Sequence, residues 1–376
     1  MTTATERLVF APGVGFRTPD ALMLREPVVQ DEEGWNVSVD SVIADRQGTH
    51  VAVTIHGPFK TTGDAQFRRP DIDYRGLITA RNRAGSVSSE GHRIYPMSHS
   101  VSHTAGMSIS CTANMDPLPG SDEQVDILIG EPLPITIIPL RLTPIADLAM
   151  PARSLDVSDE HHGVTISAHA IARSSSMTAV LLHATLGPHP RQRFMRSLGK
   201  IRDDPRTFAP GATLNDGEST LAAFAATREL AKGPEIKTIA VFPGVAEGAR
   251  EVTIEIPFVV LCEYTGSPVK LAVPFEGEIS LGDDRAHVKV DRRPAPRGGN
   301  AVGVEITGEW RDGRRLLYAE SLTIGDKYGG VGFSAMPDEP PIQTYAEDPT
   351  GNAPSVALES PNVQLRGPWV LRAPLP

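Results

Sequence analysis

The chain has 376 residues, with 36 Lys and Arg against 46 Asp and Glu, which gives a formal net charge of −10. Such an acidic surface repels phosphate backbones and disfavours general nucleic-acid binding. Hydrophobic residues make up 40% of the chain, which excludes wholesale disorder and allows packed cores, while 34 glycines and 33 prolines indicate frequent turns between short elements.

The first residues resemble neither a signal peptide nor a membrane span. Glu6 and Arg7 introduce charge early, and no stretch of the chain approaches the roughly 18 apolar residues that cross a bilayer. We therefore expect no membrane span, and a cytoplasmic location for the chain as written. If the sequence is a piece of a longer protein, an extracytoplasmic location is the alternative.

Alternating apolar residues make the stretch 37–58, VSVDSVIADRQGTHVAVTIHGP, the clearest structural signal in the chain. Val51, Val53 and Ile55 fall on one face of an extended strand, which is the period-two pattern of a half-buried β-strand. Residues 45–48 supply turn-forming side chains between the two alternating runs. The stretch therefore predicts a β-hairpin.

Two later stretches, 166–188 and 287–308, repeat the hairpin pattern, and the first two copies both stop at Gly-Pro. A late apolar strand follows each of those copies at a similar spacing, at 125–129 and at 252–257. Recurrent units of short strands separated by turns are typical of β-sandwiches. We expect an all-β chain of three tandem immunoglobulin-like β-sandwich domains, at residues 1–146, 147–266 and 267–376.

The third unit closes with apolar strands at 363–365 and 369–374. Trp369 is expected to fill one end of that third sandwich. An eight-stranded barrel or a jelly roll in each unit is the alternative architecture.

One helix is predicted in the second unit, at residues 216–232, DGESTLAAFAATRELAK. The stretch has an acidic start and good helix formers, and Gly233-Pro234 follows as a stop signal. The first unit has a histidine-rich stretch at the corresponding place.

The two cysteines, Cys111 and Cys262, lie far apart in apolar, strand-like runs. We expect both to be buried thiols that act as small hydrophobic residues; a disulfide between them is the alternative.

Three histidines, His92, His99 and His103, fall within the stretch 91–111, with Cys111 nearby. His99 and His103 would share one face of a strand, because positions four apart match the period of two. Two imidazoles and a third ligand can bind Zn²⁺. The stretch has no HExxH pattern, so surface histidines are the alternative interpretation.

A basic run in the stretch 189–212 surrounds Phe194 and could receive an acidic partner. The alternative interpretation is a solvated loop that Asp203 and Asp204 partly neutralise. With Tyr345 in the segment 336–357, the run supplies the candidate partner-binding residues, which are Arg191, Arg193, Phe194, Arg196 and Tyr345.

Motifs for nucleophilic or nucleotide chemistry are missing from the sequence. It contains no G-x-S-x-G, no P-loop and no Rossmann glycine fingerprint between a strand and a helix. Adjacent carboxylates such as Asp283 and Asp284 are expected to diverge, and the sequence offers no way to choose a catalytic pair. No cofactor is indicated.

The order of these strands resembles a bacterial family: the immunoglobulin-like domains that lie outside the membrane in proteins that regulate sigma factors, and related uncharacterised ectodomains. The matching residues are 37–58 with 125–129, 166–188 with 252–257, and Gly367-Pro368-Trp369 with Leu371. The resemblance implies immunoglobulin-like domains and no catalytic residues. Members of the family carry a transmembrane helix, which this sequence lacks.

Together these observations favour a non-enzymatic protein that binds a protein partner or regulates it. Long loops at the ends of the sandwiches, at 59–76, 189–212 and 336–357, would supply the contact surface. Two alternatives remain open: a structural protein of a surface layer or phage-like particle, and a metal-dependent hydrolase that uses the histidine stretch.

Overall fold

The structure, a computed structural model, divides into two compact units, residues Met1–Pro151 and Ala152–Pro376. It describes residues 8–12, 14–46, 48–58, 61–62, 69–70, 77–82, 87–88, 93–102, 106–118, 123–130, 136–147, 149–187, 193–198, 211–232, 234–264, 267–294, 299–324, 327–328, 332–333, 342–348 and 350–376.

Within these ranges the chain is all-β, with one short 3-10 turn at Ile145–Asp147. The strands of the first unit are β1 (Val9–Ala11), β2 (Gly15–Arg17), β3 (Leu22–Leu24), β4 (Val28–Glu32), β5 (Trp35–Ala44), β6 (Thr49–Gly57), β7 (Thr61–Thr62), β8 (Arg69–Pro70), β9 (Ile78–Asn82), β10 (Val87–Ser88), β11 (Arg93–Ser102), β12 (Gly106–Met115), β13 (Gln124–Ile129) and β14 (Thr136–Pro144).

The second unit holds β15, which begins two residues before the division, and all later strands. They are β15 (Met150–His161), β16 (Val164–Arg173), β17 (Met177–Leu186), β18 (Arg193–Leu198), β19 (Thr213–Asn215), β20 (Thr220–Ala222), β21 (Ala225–Lys232), β22 (Glu235–Pro243), β23 (Glu251–Glu263), β24 (Val269–Ala272), β25 (Phe275–Leu281), β26 (Asp284–Pro294), β27 (Asn300–Gly308), β28 (Arg314–Ile324), β29 (Lys327–Tyr328), β30 (Gly332–Phe333), β31 (Ile342–Glu347) and β32 (Ser355–Pro374).

Ten strands of the first unit form one antiparallel sheet around a hydrophobic core. The sheet has the order β10-β9-β13-β14-β3-β5-β6-β12-β11, with β4 beside β5. Every second residue of β6 is buried, and Val51, Val53 and Ile55 are at most 1% exposed. They pack against apolar residues of β13 such as Ile127. A slip of one residue would turn all of them to solvent, so burial fixes the register.

The second unit contains two large hydrophobic cores. Two five-stranded layers, β15-β16-β17-β22-β21 and β25-β26-β27-β31-β30, accompany an eight-stranded sheet in the order β20-β19-β23-β32-β28-β29, with β18 beside β23 and β24 beside β32. Strand β32 contributes to both cores: Val356 and Leu358 pack with β26 and β27, whereas Leu365 and Leu371 pack with β16 and β17.

The three predicted hairpins are confirmed as antiparallel pairs, β5 with β6, β16 with β17 and β26 with β27. The buried state of Cys111 and Cys262 is confirmed as well, and neither of the two thiols is part of a disulfide. Burial, together with the negative charge of Asp40, raises the pKa of the Cys111 thiol to about 12.

In the described part of the chain, no helix is long and apolar enough to cross a membrane.

The predicted helix at residues 216–232 is wrong. This stretch instead forms β20 and β21, and β21 pairs with β22 from Ala225 opposite Val241 to Lys232 opposite Glu235. Helix propensity amounts to a few tenths of a kcal/mol per residue, and pairing with a neighbouring strand outweighs it.

The placement of Trp369 also differs from the prediction. Its side chain is fully buried in the core of β16, β17 and β23, not in the core of β26 and β27. The indole Nε1 donates a hydrogen bond to the carbonyl oxygen of Val164 at 2.9 Å.

A buried carboxylate closes the loops beside β19. Asp216 is 9% exposed, and its carboxylate accepts hydrogen bonds from the backbone nitrogens of Ala246, Ser219 and Glu218 at 2.9, 2.8 and 3.0 Å. These bonds lower the pKa of Asp216 to about 2, because they favour the charged form.

We expect Asp216→Asn to lower the free energy of unfolding by about 1–2 kcal/mol at neutral pH. The folded pKa of about 2 lies below the usual value of about 4. The contribution of the carboxylate is therefore complete above pH 4 and is lost as the pH falls from about 4 to about 2. Urea unfolding of both proteins across this range measures it. The exposed turn variant Asp312→Asn is the control, and a difference for Asp216→Asn that does not change with pH would contradict this explanation.

Candidate functional site

Three hairpin turns of the second unit border a cleft of about 900 Å³. The turns are 162–163 between β15 and β16, 282–283 between β25 and β26, and 312–313 before β28. Loops at strand ends tolerate varied side chains on a rigid frame, which suits binding sites. The lining residues are His162, Gly163, Gly187, Asp283, Asp284, Arg285, Glu309, Trp310, Arg311, Asp312, Arg314 and Leu365.

Local backbone chemistry shapes two of these turns. His162 and Gly163 have φ angles of 54° and 71°, and Asp312 and Gly313 have φ angles of 50° and 74°. Positive φ at both central residues is typical of the type I′ hairpin turn, for which Asp-Gly is a preferred sequence. A Cβ atom on Gly313 would lie 2.7 Å from the exposed His162 ring, so the two turns touch there, and the positive φ of Gly313 favours glycine at this position.

A buried ion network forms the inner wall of the cleft. Arg314 donates from Nε and Nη2 to the carboxylate of Asp284 at 2.7 and 2.6 Å. It also donates from Nη1 and Nη2 to the carboxylate of Glu263 at 3.0 and 2.7 Å. Two bidentate contacts from one guanidinium group fix both carboxylates in place.

Burial makes this network energetically important. Glu263 is 1% exposed and Asp284 is 7% exposed, whereas the neighbouring Asp283 points to solvent, so the predicted divergence of the aspartate pair is confirmed. Burial alone would lower the pKa of Arg314, but hydrogen bonds and charge from Asp284 and Glu263 outweigh it and raise that pKa. The guanidinium therefore stays charged, as its two buried partners require.

Trp310 stands at the rim of the cleft with 41% of its surface exposed. The guanidinium carbon of Arg315 lies 4.5 Å from the ring centroid, and that of Arg366 lies 5.7 Å from it. Arg315 is itself held by a 2.6 Å hydrogen bond from Nε to Gln364 Oε1. Cation–π contacts thus hold an exposed indole in a defined position.

The cleft brings together the chemical groups that recognise a polar surface. Its lining carries four carboxylates and three guanidinium groups, with one imidazole and one indole. Guanidinium and carboxylate groups offer bidentate hydrogen bonds, and an indole offers apolar contact area at small entropic cost. The arrangement suits ion pairing, hydrogen bonding and stacking.

The predicted histidine cluster is only partly described. His92 and His103 lie outside the described residues, and His99 is placed by its backbone in β11, opposite Ile109 of β12. In the part of the chain that is described, no group of three or more His, Cys, Asp or Glu side chains is arranged to hold a metal ion. Metal binding by the His92–His103 stretch stays a prediction.

Tyr345, the one predicted partner-binding residue whose side chain the structure describes, does not line the cleft. Arg191 lies outside the described residues, whereas Arg193, Phe194 and Arg196 belong to β18, which pairs with β23. Tyr345 is half-buried in β31, opposite Gly303. The expected loops at 189–212 and 336–357 therefore each contain a strand, because backbone groups that pack on a sheet must pair with it.

The cleft residues were not predicted from the sequence, although it contains two signals for them. Asp312-Gly313 is a recognised hairpin dipeptide, and Glu309 to Arg315 is a dense run of charges around a tryptophan. What the sequence does not reveal is that residues near 162, 283 and 312 meet.

Comparisons with known proteins add little to this geometry. No family model matches the chain, and no curated protein matches it. This chain is similar to a crystal structure described as the conserved domain protein from Bacillus anthracis, with a TM-score of 0.32 and 10% sequence identity. The alignment covers 65% of this chain and 80% of the Bacillus anthracis chain.

Proposed function

We propose that the protein is a non-enzymatic recognition module that binds a protein partner through the cleft of the second unit. The observation that carries the proposal is Trp310, which is exposed yet held in place by Arg315 and Arg366. Tryptophan and arginine dominate the few residues that supply most of the energy of protein interfaces. An anchor that is already in position loses less entropy when a partner binds.

The state of the buried carboxylates supports recognition over catalysis. Arg314 binds both Asp284 and Glu263 through paired hydrogen bonds. A general acid or base must exchange its proton with a substrate, whereas these groups are held by a permanent cation. Their role is to fix the turn that presents Trp310.

We further infer that the frame of this module consists of tandem immunoglobulin-like sandwiches near 1–146, 147–266 and 267–376, with the C-terminal part of β32, which includes Trp369 and Leu371, packed in the second of them. Three large cores between antiparallel strands support this assignment. A regulatory role is part of this proposal. A protein that binds its partner without chemical change affects that partner by covering part of its surface.

The test compares partner capture by the wild type and by Trp310→Ala. Each protein is immobilised, exposed to an extract of its native host, and analysed by quantitative mass spectrometry. We expect a protein that the wild type enriches and Trp310→Ala loses. With that partner purified, Trp310→Ala should weaken binding by about 30-fold, which corresponds to the roughly 2 kcal/mol of a strong interface residue.

Phe224 provides the matched control, because it is 60% exposed and lies outside the cleft lining. Phe224→Ala should retain the same partner with unchanged affinity. Equal loss in both variants, or equal retention in both, would show that the cleft is not the binding site. Turnover of a substrate that depends on the cleft would overturn the non-enzymatic assignment.

A further inference from the structure

Strand β25 lies at one edge of the layer β25-β26-β27-β31-β30. It spans Phe275–Leu281 and pairs with β26 over its whole length, without a shift in register. Within the described residues, no other strand pairs with it. One side of β25 is therefore an open edge, and an open edge presents backbone N–H and C=O groups to another chain.

The register identifies the backbone groups on this edge. A two-residue turn joins Leu281 to Asp284, so these two flanking residues exchange backbone hydrogen bonds. Hydrogen-bonded and non-hydrogen-bonded pairs alternate along an antiparallel ladder. The residues whose N–H and C=O groups point away from β26 are therefore Glu276, Glu278 and Ser280.

Strand β25 lacks most of the features that usually block an edge. Native proteins protect sheet edges with proline, bulges, short strands or charged side chains. β25 contains no proline, and its ladder with β26 has no bulge. Its 7 residues exceed the 2 or 3 residues of the edge strands β2, β20, β29 and β30. Charge is the protection that remains.

The two faces of β25 differ in chemistry. Glu276 and Glu278 project from the outer face, with side chains 64% and 66% exposed. Both carboxylates contact the His287 imidazole, at 3.7 and 3.3 Å, and neither forms an ion pair with a described lysine or arginine. On the inner face Phe275 is half-buried, and its ring lies 3.3 Å from where Gly277 would carry a Cβ atom. The edge thus offers negative charge on one face and an apolar ring on the other.

We propose that the open edge of β25 pairs with an extended segment of another protein in which basic and apolar residues alternate. In strand addition, backbone hydrogen bonds supply affinity and alternate side chains supply specificity. Directly opposed residues share a face, so lysine or arginine opposite Glu276 and Glu278 forms cross-strand ion pairs. The apolar residues between them cover Phe275 and Gly277.

The same charges disfavour a second copy of this chain at the edge. Antiparallel pairing of two β25 strands in the register of greatest overlap places Glu278 opposite Glu278. Like charges directly opposite each other are destabilising, and each copy carries a net charge of −10. A basic segment meets neither obstacle, so the charged edge selects its partner.

This surface is distinct from the anchor of the proposed function. No residue of β25 is among the residues that line the cleft. The inference therefore goes beyond the proposed function and does not depend on Trp310.

The probe is a synthetic peptide of alternating lysine and valine, with blocked ends and long enough to span β25. It is titrated into the full chain by calorimetry, and amide hydrogen exchange is followed by NMR. We expect one peptide to bind per chain and to slow exchange at Glu276, Glu278 and Ser280 by about tenfold or more. The amides of Gly277 and Ile279 already face β26 and should change little.

Two N-methylated peptides of the same sequence separate strand pairing from charge attraction. In the proposed pairing, the lysine N–H groups face β25 and the valine N–H groups face away from it. Methylation of the lysine backbone nitrogens should therefore weaken binding by about tenfold or more, because it removes the donors to β25. Methylation of the valine nitrogens should leave the affinity within about threefold of that of the parent peptide.

Protein variants test the charge and the location. Glu278→Lys should weaken binding by about tenfold, because it places like charges opposite each other. Glu255→Lys is the matched control, since Glu255 is exposed on β23, which pairs with β19 and β32 at this residue. Glu255→Lys and Trp310→Ala should both retain the wild-type affinity for the peptide. Circular dichroism verifies that each variant is folded.

Four results would overturn the proposal. They are no peptide binding by the wild type, equal affinity for the two methylated peptides, equal loss in Glu278→Lys and Glu255→Lys, and a loss confined to Trp310→Ala. The last result would place the peptide in the cleft. Peptide binding that Glu278→Lys weakens and Trp310→Ala retains would support the edge whatever the outcome of the partner-capture test.

Discussion

Replacing Arg314 with methionine is expected to lower the free energy of unfolding by about 3–5 kcal/mol. The change removes the cation that binds Glu263 and Asp284, which are 1% and 7% exposed. Two carboxylates then remain buried without the guanidinium that compensates their charge. Urea unfolding followed by circular dichroism measures the loss. Among single changes at the cleft, this is the largest effect that we expect.

Arg311→Met is the matched control, because Arg311 is exposed in the same turn. It should change stability by less than about 0.5 kcal/mol. Adding Glu263→Gln and Asp284→Asn to Arg314→Met should recover part of the loss, since these changes remove the buried charges. A loss below about 1 kcal/mol for Arg314→Met would mean that the network does not hold the turn.

Trp369→Ala is expected to cost about 3–5 kcal/mol, the range for truncating a large buried aromatic side chain. Trp369 is fully buried, and its indole donates to the carbonyl oxygen of Val164 at 2.9 Å. The change leaves a cavity and removes the hydrogen bond to the Val164 carbonyl oxygen. Thermal and urea unfolding should report the loss together.

Two further variants separate these causes. Trp369→Phe keeps most of the apolar area and removes the hydrogen bond, so it should cost less, on the order of 1–2 kcal/mol. Trp310→Ala changes an exposed tryptophan and should leave stability within about 0.5 kcal/mol. Equal effects of Trp369→Ala and Trp310→Ala would contradict the burial described for Trp369.

The strand content of the chain was predictable because burial imposes a period of two on the sequence. Val51, Val53 and Ile55 carry that pattern, and their alternating burial is what the structure has. The stretch 216–232 predicts a helix from its sequence, since its alanines favour a helix locally. Its backbone instead pairs with β22, and such pairing depends on residues that are distant in sequence.

The candidate site was not predictable for a related reason. His162, Asp284 and Trp310 lie in separate hairpins, and only the packing of the second unit brings them to one cleft. The sequence favoured local clusters, such as the histidines at 92–103 and the arginines at 191–196. A local cluster can be read from spacing, whereas convergence of distant turns requires the fold.

The position of strand β32 in the sequence determines when the core of β16 and β17 can be completed during synthesis. Its residues Trp369 and Leu371 complete the core of β16 and β17, roughly 200 positions earlier in the chain. On the ribosome, that earlier core waits with one side uncovered until β32 leaves the exit tunnel. Apolar surface that stays exposed during this part of synthesis associates readily with other chains. We therefore expect the chain to need chaperones most in this interval.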